Sequence, residues 1–583
     1  MILQALAKYY ERKKDELPSE GFEQKEIPFL IIINLKGEFI SLQDTRTTSG
    51  KKLIARKFVV PKENARSGKN AWQSTNILWD HYGYVFAHPK SDAVKDKEMA
   101  ERQHKTFVTQ AQALVEAFPE DLELQAVKHF YTDGHYKKVF EHPLWQDCKK
   151  INGCNLSFQI SGANRLICQN ENVCSYISNN TETESDDDED DSVSRDIEGV
   201  CMITGERASI TRLHPRTPIA GAKSNAKIVS FQKNMGFDSY GKLQSYNAPV
   251  SKKAAFAYTT ALNYMLAKES RQKIYVADAT TVFWAEKKHE IEDWFTDIFG
   301  EPAKGGSDQD NAAIRALFES MKTGAPPSDW NLNHFYVLGL SPNAARIAVR
   351  FWYAGTVAEV ATNILQHFKD ISIIHALHLP EYFSLFRLLV STAVQGKSDN
   401  IQPNLAGDFM KAILSGAPYP YTLLASAIRR IKAEHDVTYP RASLIKAVLV
   451  RNARYYQNNE KEVSMALDPN NVNTGYRLGR LFAVLEKIQE EASPGINATI
   501  RDRFYGSASS TPVTVFPHLM KLKNHHIAKL ENKGRVVNFE KLIGEIVDDI
   551  KDFPAHLSLD DQGRFSVGYY HQRQDFFKKK DTN

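Results

Sequence analysis

One stretch of this chain cannot be buried in any core. Residues 181–191 contain eight Asp or Glu side chains, no Lys or Arg, and no apolar residue. Like charges at this density repel one another, and the stretch has nothing hydrophobic to bury, so it must lie in solvent. We therefore predict an acidic linker over residues 179–199, which separates an N-terminal lobe, 1–178, from the rest of the chain.

The length and composition are those of a folded soluble protein. The chain has 583 residues, of which 42% are hydrophobic and 25% charged, so a length of about 150 residues per domain predicts two to four domains. No apolar run approaches the ~18 residues needed to cross a bilayer. The first ten residues have no basic group ahead of the apolar ones, which predicts an amphipathic helix and not a signal peptide. We expect a cytoplasmic protein.

Hydrophobic periodicity predicts an α+β fold. Apolar runs on either side of Lys36-Gly37 indicate a β-hairpin over 27–42. Further strands and helices are predicted over residues 53–60, 78–86, 1–16 and 95–131. The predicted fold is a mixed N-terminal α/β region with β-hairpins and basic loops, followed by a C-terminal α-helical bundle.

Capping signals predict where later helices begin. Ser251 is a suitable N-cap for a helix over 252–267, and Ser341-Pro342 places Ser at a cap and Pro in a first turn. From about residue 356 helical periodicity dominates. We predict a middle region of basic loops and helices over 200–400 and a helical bundle over 401–583.

The five cysteines favour free thiols over a metal site. They lie within one stretch of the chain, at Cys148, Cys154, Cys168, Cys174 and Cys201. The C-x5-C spacings are wider than the C-x2-4-C pairs usual in structural zinc sites. We expect free, mostly buried cysteines and no bound metal.

Positive charge is concentrated on two segments that flank the acidic run. Outside that run the net charge is +12; segment 46–69 has eight Lys or Arg and one acid, and segment 201–253 has nine and two. Both are rich in Gly, Ser, Asn, Thr and Pro, which predicts loops whose side chains and N–H groups can approach phosphates. Nucleic acid is the partner this pattern favours over ordinary surface charge.

Further cations lie beside aromatic residues on predicted helices. Arg346 and Arg350 would be one turn apart on one helix face, where they could bind nucleic acid or form an ion pair with a neighbouring helix. Arg477 and Arg480 fall on a stripe next to the apolar stripe of their helix. Two Arg and two Lys follow around aromatic residues, a composition typical of single-strand binding, at Arg501, Arg503, Lys521 and Lys523.

No motif in the sequence predicts catalysis. There is no G-x-x-x-x-G-K-[ST], no strand-bound G-x-G-x-x-G and no G-x-S-x-G. His435-Asp436 lacks the further His and Asp ligands of a metal phosphohydrolase, and we predict a polar pair at a helix end.

Several ordered segments resemble one family over essentially the full length. Five of these segments start with the residues Met1-Ile-Leu-Gln-Ala-Leu, Cys201-Met-Ile-Thr-Gly-Glu, Arg212-Leu-His-Pro, Leu338-Gly-Leu-Ser-Pro-Asn-Ala-Ala-Arg and Tyr476-Arg-Leu-Gly-Arg-Leu-Phe. In these segments the chain resembles the large subunit of the type I-C CRISPR surveillance complex (Cascade), the Csd1-type Cas8c family.

The resemblance implies a non-enzymatic DNA-binding subunit without a cofactor. Its partners would be crRNA-bound Cascade subunits, namely a repeated backbone subunit, a crRNA-handle-binding subunit and a small subunit. It would recognise the protospacer-adjacent motif (PAM) in duplex DNA, help to form the R-loop, stabilise the displaced strand and help to recruit a helicase–nuclease. No membrane is implied.

The chemistry of the loops predicts which residues would perform these tasks, although Lys223 and Asn225 depart from the Gly/Ser/Gln-rich loop of the family. Two polar loops would contact the PAM duplex, through Arg66, Ser67, Lys69, Asn70, Lys223, Ser224, Asn225 and Lys227. The C-terminal cations named above would hold the displaced strand. An internal start at Met465, or less favourably Met410, would release the small subunit, so that 465–583 is a small-subunit-like segment. The alternatives are a stand-alone nucleic-acid enzyme such as a nuclease, or a scaffold without DNA contacts.

Overall fold

A computed structural model describes most of the chain. The described residues are 2–49, 52–64, 66, 70–180, 197–223, 225–232, 236, 241–276, 279–300, 315, 317, 319, 328–344, 346–402, 404–457, 462–548 and 550–577, with backbone only at 49, 52, 178–180 and 328–329. The acidic run, Ser67, Lys69 and Ser224 lie outside them.

The described chain forms strands and then mainly helices, so the predicted α+β class is confirmed. The strands are β1 Phe22–Glu26, β2 Phe29–Ile33, β3 Phe39–Asp44, β4 Thr47–Ser49, β5 Lys52–Ile54, β6 Lys57–Pro61, β7 Trp79–His81, β8 Asn155–Ile160, β9 Glu198–Val200, β10 Arg207–Ser209, β11 Lys273–Val276, β12 Ala279–Ala285, β13 His334–Asn343 and β14 Arg346–Thr356. The helices from the N-terminus to the last strand are α1 Ile2–Arg12, α2 Tyr82–Phe86, α3 Val94–Ala117, α4 Leu122–Thr132, α5 Trp145–Lys150, α6 Glu171–Asn180, α7 Lys252–Leu266, α8 Ile291–Phe299 and α9 Ser328–Leu332. The helices after it are α10 Val357–Ile371, α11 Leu385–Thr392, α12 Leu405–Ser415, α13 Tyr421–Glu434, α14 Tyr439–Asn452, α15 Thr474–Ala492, α16 Ile500–Ala508, α17 Pro512–Ile527, α18 Lys533–Val547 and α19 Leu559–Phe577.

Packing divides the chain into two compact units that do not follow chain order. The N-terminal unit comprises Lys13–Thr211 and Pro249–Thr260. The C-terminal unit comprises Met1–Arg12, Arg212–Ala248 and Ala261–Asn583. The domain boundaries that composition predicts stay predictions.

The core of the N-terminal unit is a four-stranded sheet in the order β3-β2-β8-β7. Strand β2 pairs antiparallel with β3 and parallel with β8, and four of its five residues are buried. A strand buried on both faces reads as a continuous apolar run, which is what Phe29 to Ile33 shows. The predicted hairpin is confirmed, and its turn uses Gly37 at φ +78°.

The C-terminal unit combines a β-meander with the helical bundle. Its sheet has the order β11-β12-β13-β14. Phe283, Phe335 and Val337 on one sheet face belong to the same buried core as the helices from α10 onward. Phe351 of β14 lies against Gly407 of α12, where an added Cβ would be 3.0 Å from its ring. The predicted C-terminal helical bundle is therefore confirmed.

Other predicted elements are confirmed with different bounds. The 53–60 pattern forms two short strands, β5 and β6, and the 95–131 pattern forms two helices, α3 and α4. The interruption between α3 and α4 has a local cause, because Asp121 caps α4 by accepting hydrogen bonds from the N–H groups of Glu123 and Leu124. Ser251 caps α7 as predicted, since its Oγ accepts the N–H of Ala254 at 3.2 Å.

Two predicted elements are wrong. Residues 78–86 form only the short strand β7, after which the His81 side chain caps α2 by accepting the Gly83 N–H. Ser341-Pro342 does not begin a helix; both residues lie at the end of β13, beyond Leu340, the last residue that pairs with β12. Proline has no N–H to donate, so a strand end tolerates it. Arg346 and Arg350 therefore lie on a strand.

Candidate nucleic-acid interface

A loop of the C-terminal unit is seated on the tip of the β13–β14 hairpin. Thr217 N–H donates to Ala226 O at 2.8 Å and Ala226 N–H to Lys223 O at 3.0 Å, which closes the loop on itself. Lys223 N–H then donates to Ala344 O at 3.1 Å, in the turn between β13 and β14. Main-chain bonds thus hold the described part of this loop, 217–223 and 225–226, on the hairpin turn.

Glycine is required at the point where the loop approaches the hairpin. Gly221 has φ +82°, and a Cβ added there would lie 3.2 Å from Cγ of Pro342. A side chain would be strained by the backbone angle and crowded by the proline. The small residue therefore allows the two backbones to meet.

This junction gathers cations that the sequence had placed in two separate sets. Lys223, Asn225 and Arg346 are exposed, and Lys227 is half-buried. Lys227 forms an isolated parallel bridge with Arg346, and Arg346 donates through Nη2 to Gln232 Oε1 at 3.0 Å. The junction therefore combines three residues that were predicted to contact the PAM duplex, Lys223, Asn225 and Lys227, with Arg346, which was predicted to contact the displaced DNA strand.

Arg350 lies further along the same strand, at a β-bulge. Gly339 pairs with Phe351 and Leu340 with Val349, so Arg350 occupies the extra position between them. It is exposed. A bulge changes the direction in which a side chain leaves a strand. Arg346 and Arg350 are therefore not stacked one turn apart on one face, as they would be on a helix. We refer to residues 212–232 together with Arg346 and Arg350 as the loop–hairpin surface.

The loop–hairpin surface contains no acidic residue. No Asp or Glu occurs between Glu206 and Asp238, or between Trp330 and Glu359, in the sequence. Beneath the loop, burial and the nearby Lys227 lower the pKa of His214 to about 4, so this imidazole is neutral at pH 7. The positive charge of the surface therefore comes from Lys and Arg alone. The acid-free stretch of sequence also contains Arg216, an exposed residue that was not among the predicted contacts.

Arg66 has a different environment, inside the N-terminal unit. Its guanidinium binds both carboxylate oxygens of Asp80, with Nη1 to Oδ1 at 3.0 Å, and its Cζ lies 4.2 Å from the Tyr84 ring centroid. Asp80 is 1% exposed. The ion pair with buried Asp80 gives Arg66 a structural role in its loop. Asn70, at the other end of that loop, is exposed at the start of a short turn.

Arg477 and Arg480 were expected to hold the displaced strand, but both side chains are buried. Helix α15 contacts α17, α18 and α19, so the stripe beside its apolar face also meets protein. Arg477 donates to the carbonyls of Asn471, Glu545 and Ile546, and Arg480 to Pro469 O and Gln572 Oε1. These guanidinium groups satisfy main-chain acceptors inside the bundle.

The remaining predicted strand-binding cations have different environments. Arg501 is 3.7 Å from buried Glu486 and 3.9 Å from Asp436. Lys523 is bound by Glu540 at 2.8 Å. Arg503 and Lys521 are exposed, and the structure gives them no ion pair among the described residues. These last two therefore remain accessible for a nucleic-acid backbone.

Met465 lies outside the helices, in the segment before α15. It is 57% exposed, and its carbonyl accepts the N–H of Ile374 at 2.8 Å. Met410, the alternative start, lies within α12 and is buried. A chain that begins at Met465 would keep α15–α19 whole.

The cysteines are free thiols, four buried and Cys174 half-buried, as predicted. Within the described part of the chain, no three His, Cys, Asp or Glu side chains are grouped closely enough to hold a metal ion. His435 has φ +54° at the C-terminal end of α13, which confirms the predicted polar pair at a helix end. Among the helices described, none is both long and apolar enough to traverse a bilayer.

A comparison with known families now adds to this geometry. The chain matches the family of CRISPR-associated proteins described as Cas_Csd1 over residues 6–577. The class of protein is thus CRISPR-associated. Because the match spans nearly the whole chain, the chain belongs to the Csd1 family. No curated protein matches it.

Proposed function

We propose that this chain is the non-catalytic, DNA-binding large subunit of a type I-C Cascade, and that it recognises the PAM in duplex DNA through the loop–hairpin surface. The observation that supports this most is the position of Lys223 and Asn225, both exposed on an acid-free loop whose backbone is bound to the hairpin turn. A loop that is held by main-chain hydrogen bonds and exposes polar side chains is suited to reading a groove.

The chemistry agrees with the task. Because a guide RNA reads the target by base pairing, the protein needs to read only a short motif and to hold backbone. Lys and Asn side chains can contact the acceptors of a minor groove. The neighbouring Arg346 and Arg350 would bind phosphates, which position the duplex without specifying sequence.

The same proposal assigns partners and later steps. The chain would assemble, in the cytoplasm and without a cofactor, with crRNA, the repeated backbone subunit, the crRNA-handle-binding subunit and a small subunit translated from Met465. It would aid R-loop formation and help to recruit the helicase–nuclease. The exposed Arg503 and Lys521 are our candidates for contacts with the displaced strand.

The test compares two substrates in the assembled, guide-loaded complex. We expect Lys223→Ala and Asn225→Ala each to weaken binding to a PAM-bearing duplex by about tenfold, because a groove contact is worth ~1–3 kcal/mol. Binding to a duplex already opened as a bubble should fall less. Lys242→Ala is the matched control, since this exposed lysine lies on the same segment but outside the loop.

Three results would contradict the proposal. Equal losses on both substrates would remove the PAM assignment. Affinity insensitive to salt would indicate a scaffold, since four cations that each neutralise one phosphate predict a log–log salt slope of about −3.6. Metal-dependent cleavage by the isolated chain, abolished by an Asp or His substitution, would indicate the nuclease alternative.

A further inference from the structure

A cavity of about 390 Å³ lies in the C-terminal unit, away from the loop–hairpin surface residues. It is formed by α10, by α14 with the turn that follows it, and by the segment before α15. The residues that line it are Gln366, Lys369, Asp370, Lys446, Val450, Arg454, Val463, Ser464, Met465 and Asp468.

One carboxylate in the cavity wall is already neutralised. Arg454 donates to both oxygens of Asp370, at 2.8 and 2.6 Å, and buried Arg451 lies 3.7 Å from the same group. Gln366 also donates to it at 2.9 Å. Asp370 therefore has little capacity left for another cation.

Lys446 is the unusual member of this wall. It is 4% exposed, and its Nζ donates to the main-chain oxygen of Asp370 at 2.9 Å. An ammonium group has three N–H donors, so this bond leaves two. Burial lowers the pKa of Lys446 to about 8; the nearby Asp370 carboxylate opposes this shift and Arg454 adds to it, so the amine is mainly charged at pH 7. A buried charge is unfavourable without a counter-charge.

The charges at the cavity do not balance. The wall and Arg451 contribute four cations against two carboxylates, those of Asp370 and Asp468. Among the described residues, neither Lys446 nor Lys369 has a carboxylate oxygen within 4.0 Å of Nζ. The cavity thus has volume, unused donors and two excess positive charges, which together favour an anion.

We propose that this cavity binds a phosphate group, with Lys446 and Lys369 as its ligands. A tetrahedral anion with several acceptor oxygens can use the spare donors of both ammonium groups. The phosphate could be inorganic or could belong to a nucleic-acid strand.

Two exposed aromatic side chains favour the nucleic-acid source. Tyr455 and Tyr456 directly follow Arg454 and are 61% and 72% exposed, with ring centroids 5.1 Å apart. Bases of a single strand stack on such rings while cations hold the phosphates. This part of the inference rests on the proposed function, whereas phosphate binding itself does not.

The experiment measures binding of inorganic phosphate to the full chain by calorimetry. We expect Lys446→Met to weaken phosphate binding by at least about tenfold and Lys369→Gln by about threefold, because charge-assisted bonds are lost. Lys397→Gln, which alters an exposed lysine outside the cavity wall, should have no effect. Lys369 is exposed, so its variant tests the site even where Lys446→Met fails to fold.

The source is tested with a short single-stranded oligodeoxythymidine. The oligonucleotide should compete with inorganic phosphate for the cavity. The double variant Tyr455→Ala, Tyr456→Ala should bind the oligonucleotide more weakly but bind inorganic phosphate as the wild type does. Absence of saturable phosphate binding, or equal binding by wild type, Lys446→Met and Lys369→Gln, overturns the site. Phosphate binding without competition by the oligonucleotide overturns the nucleic-acid source. PAM discrimination should survive in Lys369→Gln, so a failure here is distinct from a failure of the proposed function.

Discussion

At the scale of single residues, the arginines divide into two groups that sequence alone did not separate. Arg346 and Arg503 are exposed, whereas Arg477 and Arg480 are buried among carbonyl groups. Arg477 reaches Glu545 and Ile546 at the C-terminal end of α18, where the last carbonyls lack intrahelical partners and the helix dipole favours a cation. Periodicity predicts where a side chain points on its own helix, but not which other helix meets it.

Arg66 offers a direct test of this distinction. We expect Arg66→Ala to lower the free energy of unfolding by about 2–4 kcal/mol, because it leaves the buried Asp80 carboxylate without its counter-charge. Hydrogen bonds from Thr75, Asn76 and His81 to the same carboxylate keep the loss from being larger. Denaturant unfolding measures the change.

The control for Arg66 is Arg503→Ala, which removes the same charge from an exposed position and should change stability by less than about 0.5 kcal/mol. Equal stabilities for the two variants would mean that Arg66 is not held by Asp80, and would return it to the set of candidate DNA contacts.

At the scale of elements, most of the fold was predictable because its periodicity is local. The 27–42 hairpin, the capped α7 and the helices after residue 356 follow from patterns within one element. The 341–352 segment was not predictable in that way, because Ser341-Pro342 is a good local helix start. Pairing of Ser341 and Pro342 with Ala348 and Ile347 of β14 overrides that local preference, and the central position of β13 in the sheet depends on β12, which is distant in sequence.

The candidate site was predictable only in part for the same reason. The acid-free run over residues 207–237 marked a cationic loop, and Lys223 and Asn225 are exposed on it. The contact of this loop with the 343–346 turn links two segments more than a hundred residues apart. No spacing rule predicts that contact.

The contact between α15 and α19 gives a prediction about elements. An added Cβ at Gly479 would lie 2.0 Å from Phe565 O, a main-chain atom that cannot move aside without shifting α19. We expect Gly479→Ala to destabilise the chain by roughly 3 kcal/mol, at the upper end of overpacking costs. Thermal or denaturant unfolding measures the effect.

Gly544→Ala is the matched control, since nothing lies within 4 Å of an added Cβ at this position in the last turn of α18. There the better helix propensity of alanine should stabilise by about 0.5–1 kcal/mol. If both variants were stabilising, α15 and α19 would not be in contact at this distance.

At the scale of the whole molecule, the helices α15, α16, α17 and α19 share a cluster of aromatic rings. Phe482 of α15 lies within 5.8–6.5 Å, centroid to centroid, of four other rings, those of Tyr505, Phe516, Phe565 and Tyr569. All five residues belong to the segment that an internal start at Met465 would release. The segment therefore contains an aromatic cluster made only of its own residues, within the larger core of the C-terminal unit.

We expect Met465→Leu to abolish a C-terminal product of 119 residues while the full-length chain is made at its usual level. Leucine fits this exposed position, so the fold should be unaffected. Immunoblotting of a C-terminally tagged chain measures both products. Met410→Leu should leave the short product in place, because a start there would begin inside α12. Persistence of the short product in Met465→Leu would place the start elsewhere.

The main-chain hydrogen bonds of the loop that contains Lys223 and Asn225 have a consequence for how proteins of this family can diverge. Its bonds to itself and to the hairpin turn are made by main-chain atoms, so residues 223 and 225 can be exchanged without loosening it. Under the proposed function, substitutions at these two positions would change which DNA sequence the loop prefers while the main-chain scaffold persists. The exposed side chains could then diverge among related proteins while the backbone that carries them is conserved.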